Sequence, residues 1–211
     1  MKCSVLVILL IGLTTSNTTK AQSHSSAMPK DFTAFSWEMS FPTGNKYLTE
    51  SSMSGWRLEY RRMVKSNFSV GLALSWNSFD EYTPSKTYSS HNGATAVTTD
   101  LIRQVYTVPI TAIAHYYFAS NMPILRPFVG IGLGTQYAEN NTYFNIYQLT
   151  ENNWGFVARP ELGAVISFGQ NSPVKGLISA GYNWSTNKNE AFNVDNWSHL
   201  TVNVGIGVGS F

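Results

Sequence analysis

Apolar and polar residues alternate with a period of two along most of this chain, which is the period of a strand and not of a helix. The clearest stretch spans residues 104–137. It reads QVYTVPITAIAHYYF, then a turn ASNMPI, then LRPFVGIGLGTQY. Tyr106, Val108, Ile110, Ala112, Ala114, Tyr116 and Phe118 share one face of the first arm, and Leu125, Val129, Ile131, Leu133 and Tyr137 share one face of the second. Opposite the second set lie Arg126, Phe128, Gly130, Gly132, Gly134 and Gln136. One face is an apolar ladder rich in aromatics; the other is small or polar.

The same alternation recurs on both sides of this hairpin. It runs through Phe35–Phe41, Trp56–Tyr60 and Phe68–Trp76 before it, and through Trp154–Phe168, Ile178–Trp184 and Leu200–Val208 after it. That predicts eight strands, the smallest number usual for a closed membrane barrel. The connections alternate in length. Residues 42–52, 79–98, 139–152 and 187–196 read as long polar loops, and 64–67, 119–124 and 169–175 as short turns. Long loops at one end and short turns at the other are the asymmetry of an outer-membrane barrel. Pro109 and Pro160 fall inside predicted strands, where a missing N–H breaks a ladder, so a bulge is predicted at each.

Two directions are open for the apolar face. A soluble eight-stranded barrel would turn it inward and cover itself with charge. Here the other face is mostly Gly, Ser, Ala and Thr, which suits a narrow interior, while Trp, Phe and Leu at every second position would overfill it. The apolar face is therefore assigned to lipid. Trp56, Trp76, Trp154 and Trp184 fall at strand ends beside the long loops, as an outer aromatic girdle would. The fold class predicted is all-β, a single eight-stranded antiparallel up-and-down transmembrane barrel over residues 32–211.

Composition agrees. Charged residues make up 12% of the chain and aromatic ones 14%. Residues 1–21 carry Lys2, an apolar run and a small-residue site ending at Ala21, the pattern of a secretory signal, and 22–31 form a short periplasmic lead. Cys3 precedes the apolar run, so the mature chain is expected to have no thiol chemistry. Loss of Lys2 and Lys20 leaves 12 basic residues against 12 acidic ones, which gives no electrostatic support for nucleic-acid binding.

YTVPITAIAHYYF, followed by RPFVGIGLG and later by RPELGAVISFG, resembles the outer-membrane β-barrel family common in Bacteroidetes, which belongs with the small OmpA-, OmpX- and OmpW-like barrels. The resemblance implies a monomer in the bacterial outer membrane whose partners are outer-membrane lipids and the barrel-assembly machinery. It also implies that the terminal aromatic, Phe211, is the assembly signal, although Phe211 is out of phase with Val204, Ile206 and Val208.

On the small, polar face lie Glu38, Arg57, Glu59, Arg61, Arg126, Arg159 and Glu161. A charge inside a narrow barrel needs a partner or water. These residues are read as a lumen charge network, either a fixed packing device or a gate for small solutes. The four histidines have no metal-ligand spacing, so no metal or cofactor is expected. Ser198 and His199 adjoin each other, but adjacency is not a triad, and no catalytic residue is assigned. The stretch 79–98, with its aromatic residues, is the candidate contact for an extracellular ligand. Three readings follow: a closed structural or interaction barrel, a narrow pore gated by Arg/Glu pairs, and an outer-membrane lipid-modifying enzyme.

Overall fold

In the computed structural model, residues 29–43, 47–89, 96–119, 124–144, 147–169, 172–188, 194 and 196–210 are described. Eight strands form: β1 (Asp31–Pro42), β2 (Ser52–Lys65), β3 (Phe68–Ser89), β4 (Ala96–Tyr117), β5 (Leu125–Phe144), β6 (Tyr147–Ser167), β7 (Val174–Ser185) and β8 (His199–Ser210). Each pairs antiparallel with its chain neighbours, and β1 pairs with β8 from Asp31↔Ser210 to Pro42↔His199. The ring is closed, so no strand edge meets hydrocarbon. The predicted signal segment and Phe211 lie outside the described residues.

The apolar face points outward. Leu72 is 63% exposed, Leu162 64% and Ile206 61%, while Arg57, Glu59, Arg61 and Arg159 inside are each 1% exposed. Such a distribution would be untenable in water and is the right one in lipid. Phe68 and Trp76 bound the band on β3. They lie eight residues apart, roughly 27 Å along the strand. At the usual tilt that is about 21 Å along the barrel axis, and aromatic rings at both ends bring it near the ~25 Å apolar band of such barrels.

Three sequence expectations need correction. Residues 79–98 and 139–152 are not loops over most of their length. β3 and β4 stay paired from Phe79↔Val105 out to Ser89↔Ala96, and β5 and β6 from Glu139↔Asn152 out to Phe144↔Tyr147. Polar side chains hid these segments because both faces of the sheet are polar there, so no apolar period of two remains to be read. It follows that Trp76 and Trp154 sit mid-strand, at the base of a four-stranded wall, and not at strand ends. Trp37 joins this girdle, since the register sets Trp37 against Trp56 and Trp56 against Trp76.

The prolines are the third correction. Neither Pro109 nor Pro160 carries a bulge. Pro109 pairs with Gln136 and Pro160 with Ile131 in unbroken ladders on one side. On the other side pairing lapses between Leu74↔Ile110 and Asn77↔Thr107, and between Ala158↔Trp184 and Glu161↔Gly181, then resumes in the same register. The missing N–H costs local hydrogen bonds but no residue is inserted. Register shifts occur elsewhere: between Glu38 and Ser40, between Met63 and Lys65, and between Thr83 and Lys86, the last enclosing Pro84.

The outward assignment predicts a depth-dependent response. Leu72→Arg, within the apolar band, should destabilise the refolded barrel in lipid vesicles by about 2–4 kcal/mol. Tyr82→Arg, above the band, should change it by less than about 0.5 kcal/mol. Urea unfolding followed by tryptophan fluorescence would measure both.

Candidate functional site

The interior is filled in three layers. Nearest the short turns, Phe32, Ala34, Tyr117, Phe128, Val165 and Leu177 form an apolar plug, with Met63 packed against it. Glycine makes the plug possible. A Cβ on Gly207 would lie 2.4 Å from the Phe32 ring, so the ring occupies the space that any side chain there would need.

The middle layer is ionic. Arg57 Nε lies 3.1 Å from Glu59 Oε2, and Arg57 Nη2 lies 3.2 Å from Glu161 Oε2. Arg61 Nη2 lies 2.7 Å from Glu59 Oε1, and its guanidinium stacks 4.5 Å above the Phe128 ring. Arg159 donates to Glu38 Oε2 at 2.7 Å and to Thr201 Oγ1 at 2.9 Å. His115 Nε2 meets Glu161 Oε1 in a close contact. Gly130 makes room for this imidazole, because a Cβ there would approach His115 Cδ2 to 2.3 Å. Asn77 donates to Glu38 Oε1 at 2.8 Å. The Asn203 amide, turned with its nitrogen toward Glu38 Oε2 at 2.7 Å, accepts from Arg159 at 3.0 Å. Three arginines thus face three glutamates, each fully inside. In a low-dielectric interior this balance holds the layer together, since any one charge left alone would be very costly.

The third layer closes the end opposite the short turns. Tyr47, Leu48, Phe79, Val105, Ala138, Val194 and Trp197 form a second apolar cluster, with Tyr47 and Trp197 edge-to-face at 5.6 Å. The β1–β2 connection is latched over the mouth. Arg103 donates to the Tyr47 carbonyl at 2.6 Å and to Thr83 Oγ1 at 3.1 Å, and Glu81 accepts from the Thr49 N–H at 2.5 Å. The Tyr47 hydroxyl is 2.6 Å from Thr142 Oγ1 and donates to Asn140 Oδ1 at 3.1 Å. Burial pushes this phenol above its ordinary value, so it stays protonated and able to donate.

The structure brings together six of the seven residues assigned to the lumen network and leaves Arg126 apart. Arg126 sits at the short-turn end, where Nη2 donates to the Ser66 carbonyl at 2.7 Å and the guanidinium lies 5.8 Å from the Tyr117 ring. Lys175 is a lumen residue the sequence reading placed in a turn. It donates to Ser167 Oγ at 3.1 Å, and extending the alternation back from Ile178 would have turned it inward. The two plugs were also missed. Phe32, Phe128, Val165 and Leu177 put apolar groups on the face expected to be polar, and Tyr47 and Trp197 lie in connections. Trp56, Trp76, Trp154 and Trp184 point outward, with Trp154 62% and Trp184 48% exposed. Phe35 stacks on Trp56 at 6.2 Å, and Trp76 on Tyr106 at 6.1 Å.

Ser198 and His199 do not work as a pair. Ser198 Oγ accepts from the Ser185 N–H at 3.2 Å, while His199 Nδ1 contacts the Trp197 carbonyl at 3.1 Å and its ring packs edge-on against Phe79. Among the described residues no group of three His, Cys, Asp or Glu side chains is placed to hold a metal ion.

A closed eight-stranded ring, apolar outside and ionic inside, is the architecture of a small outer-membrane β-barrel. No protein-family model and no curated sequence matches the chain. Solved structures do match. Neisserial surface protein A superposes with a TM-score of 0.53 at 14% identity, covering 89% of this chain and 99% of that one. Ail, the attachment invasion locus protein of Yersinia pestis, gives 0.49 at 15% identity over 86% of this chain and 98% of its own. The outer membrane protease OmpT of Escherichia coli gives 0.45 at 9% identity, over 90% of this chain and 99% of its own. At these identities the likeness is one of fold.

The central layer predicts a large, local penalty. Glu161→Gln strips a charge from Arg57, Arg159 and His115 together and should destabilise the barrel by about 3–5 kcal/mol. Glu50→Gln on the exposed β1–β2 connection should change stability by less than about 0.5 kcal/mol. Unfolding midpoints of the refolded proteins would compare the two.

Proposed function

We propose that this protein is an integral outer-membrane barrel that does not conduct and acts through the surface it raises above the lipid. The observation that carries this is the filled lumen: an apolar plug at each end with an ion-paired layer between them. A gate needs charges that can re-pair toward an open path. Here each arginine of the layer is held by a glutamate on the same or a facing strand, and aromatic packing shuts off both ends.

The raised surface is the wall of β3–β6, which continues past the girdle to Ser89 and Phe144. A rigid sheet holds its side chains in place at less entropic cost than a loop would, which suits it to recognition. The partners this reading requires are the outer-membrane lipids, the barrel-assembly machinery that inserts the chain, and a ligand for the wall. A ring with no free edge inside the apolar band favours a monomer. The motifs around Pro109, Pro127 and Pro160 support grouping the chain with the Bacteroidetes-type barrels.

The test is conductance of the refolded protein in a planar bilayer. Stable insertion without discrete openings is expected. Removing the outer plug alone, with Tyr47→Ala and Trp197→Ala, should leave the barrel silent, because the ionic layer and inner plug remain. Openings in the wild-type protein would reject the closed reading in favour of a pore.

A further inference from the structure

The outward face of the wall is organised by strand register into rows. Beside the girdle lie Ser78, Tyr106, Glu139 and Asn152; above them Asp80, Gln104, Asn141 and Thr150; above those Tyr82, Ile102, Tyr143 and Gln148. Hydrogen bonds within and between rows hold the polar groups in place. Asn141 donates to Glu139 Oε1 at 2.9 Å, Thr150 donates to Asn141 Oδ1 at 2.7 Å, and Gln148 donates to the same oxygen at 3.1 Å and to the Tyr143 hydroxyl at 3.3 Å. Tyr82 is 58% exposed and Ile102 41%. No lysine or arginine stands in these rows, and two members are acidic.

That chemistry selects a ligand class. Phosphates and other anions are repelled. Fixed amides and carboxylates match the hydroxyls of a neutral sugar, and tyrosine rings match its apolar C–H face. Position selects the source. These side chains point sideways on the same face that meets lipid below the girdle, so their neighbours are the headgroups of the same leaflet. From Trp76 to Tyr82 the strand runs about 20 Å, or about 15 Å along a tilted barrel axis. Phospholipid headgroups occupy only about 5–8 Å per leaflet, too little to reach the upper rows. A headgroup extended by sugars does reach them.

We propose that the outward face of the β3–β6 wall binds the neutral sugar portion of glycolipids in the surrounding outer leaflet. This rests on the outer-membrane reading above and names the wall's ligand. The test places the full barrel in phospholipid nanodiscs doped with a glycolipid bearing a neutral oligosaccharide, or with the same lipid trimmed of those sugars. Mass spectrometry then counts glycolipid retained on extraction. The wild-type protein should retain the full glycolipid several-fold over the trimmed one. The variant Tyr82→Ala/Tyr143→Ala/Gln148→Ala should fall to the trimmed level while still migrating as a folded, heat-modifiable barrel. Gln148→Ala alone, which leaves the sheet intact, should lose part of the retention. Equal retention of both lipids, or full retention by the triple variant, overturns the proposal while leaving the closed barrel standing. Equally tight binding of the free oligosaccharide would overturn the lateral assignment in favour of a soluble glycan. Failure to insert into any disc would reject the barrel reading itself.

Discussion

A polypeptide in hydrocarbon has no water to satisfy its amides, and this one constraint shapes everything else in the molecule. The strands must pair with one another and the last must return to the first, as β8 does along the full length of β1. Once eight strands close, the diameter is set and the interior is only wide enough for side chains. Two large groups enter where glycine yields space, His115 beside Gly130 and Phe32 beside Gly207. The lumen is therefore solid because the backbone closed at this size.

The interior then resolves a second constraint. Charges placed in a space this dry must be balanced and hydrogen-bonded. The chain draws them from different strands: Glu38 from β1, Arg57, Glu59 and Arg61 from β2, Arg159 and Glu161 from β6. The two apolar plugs keep both aqueous phases away from that layer, which strengthens its pairing.

Much of this was legible in the residue order, and the reasons for the gaps are physical. Strand number, ring topology and outward face follow from an alternation that lipid enforces on every membrane-crossing segment. Six of the seven lumen charges were recoverable by parity alone, because an inward position remains inward along an unbroken strand. Arg126 escaped because parity tells the face and not the height, and it lies at the rim. Val165 beside Ile166 and Leu177 beside Ile178 blur the alternation where the inner plug makes both faces apolar. The wall of β3–β6 reads as loop in the sequence for the opposite reason, since above the lipid both faces are polar. Pro109 and Pro160 showed that a lapse in pairing on one side can stand in for a bulge.

The origin of the ionic layer has a consequence for biogenesis. Arg159 of β6 meets its closest carboxylate on β1, a strand 121 positions earlier in the chain, and Arg57 of β2 reaches Glu161 across the ring. Arg57 also has Glu59 on its own strand, but Arg159 gains its short carboxylate contact only when β1 and β6 share one lumen. A chain that entered without β1 would leave Arg159 only the longer contact with Glu161 in the bilayer, an uphill step. The pairing of Arg159 with Glu38 thus favours a sheet that curls before, or as, it sinks.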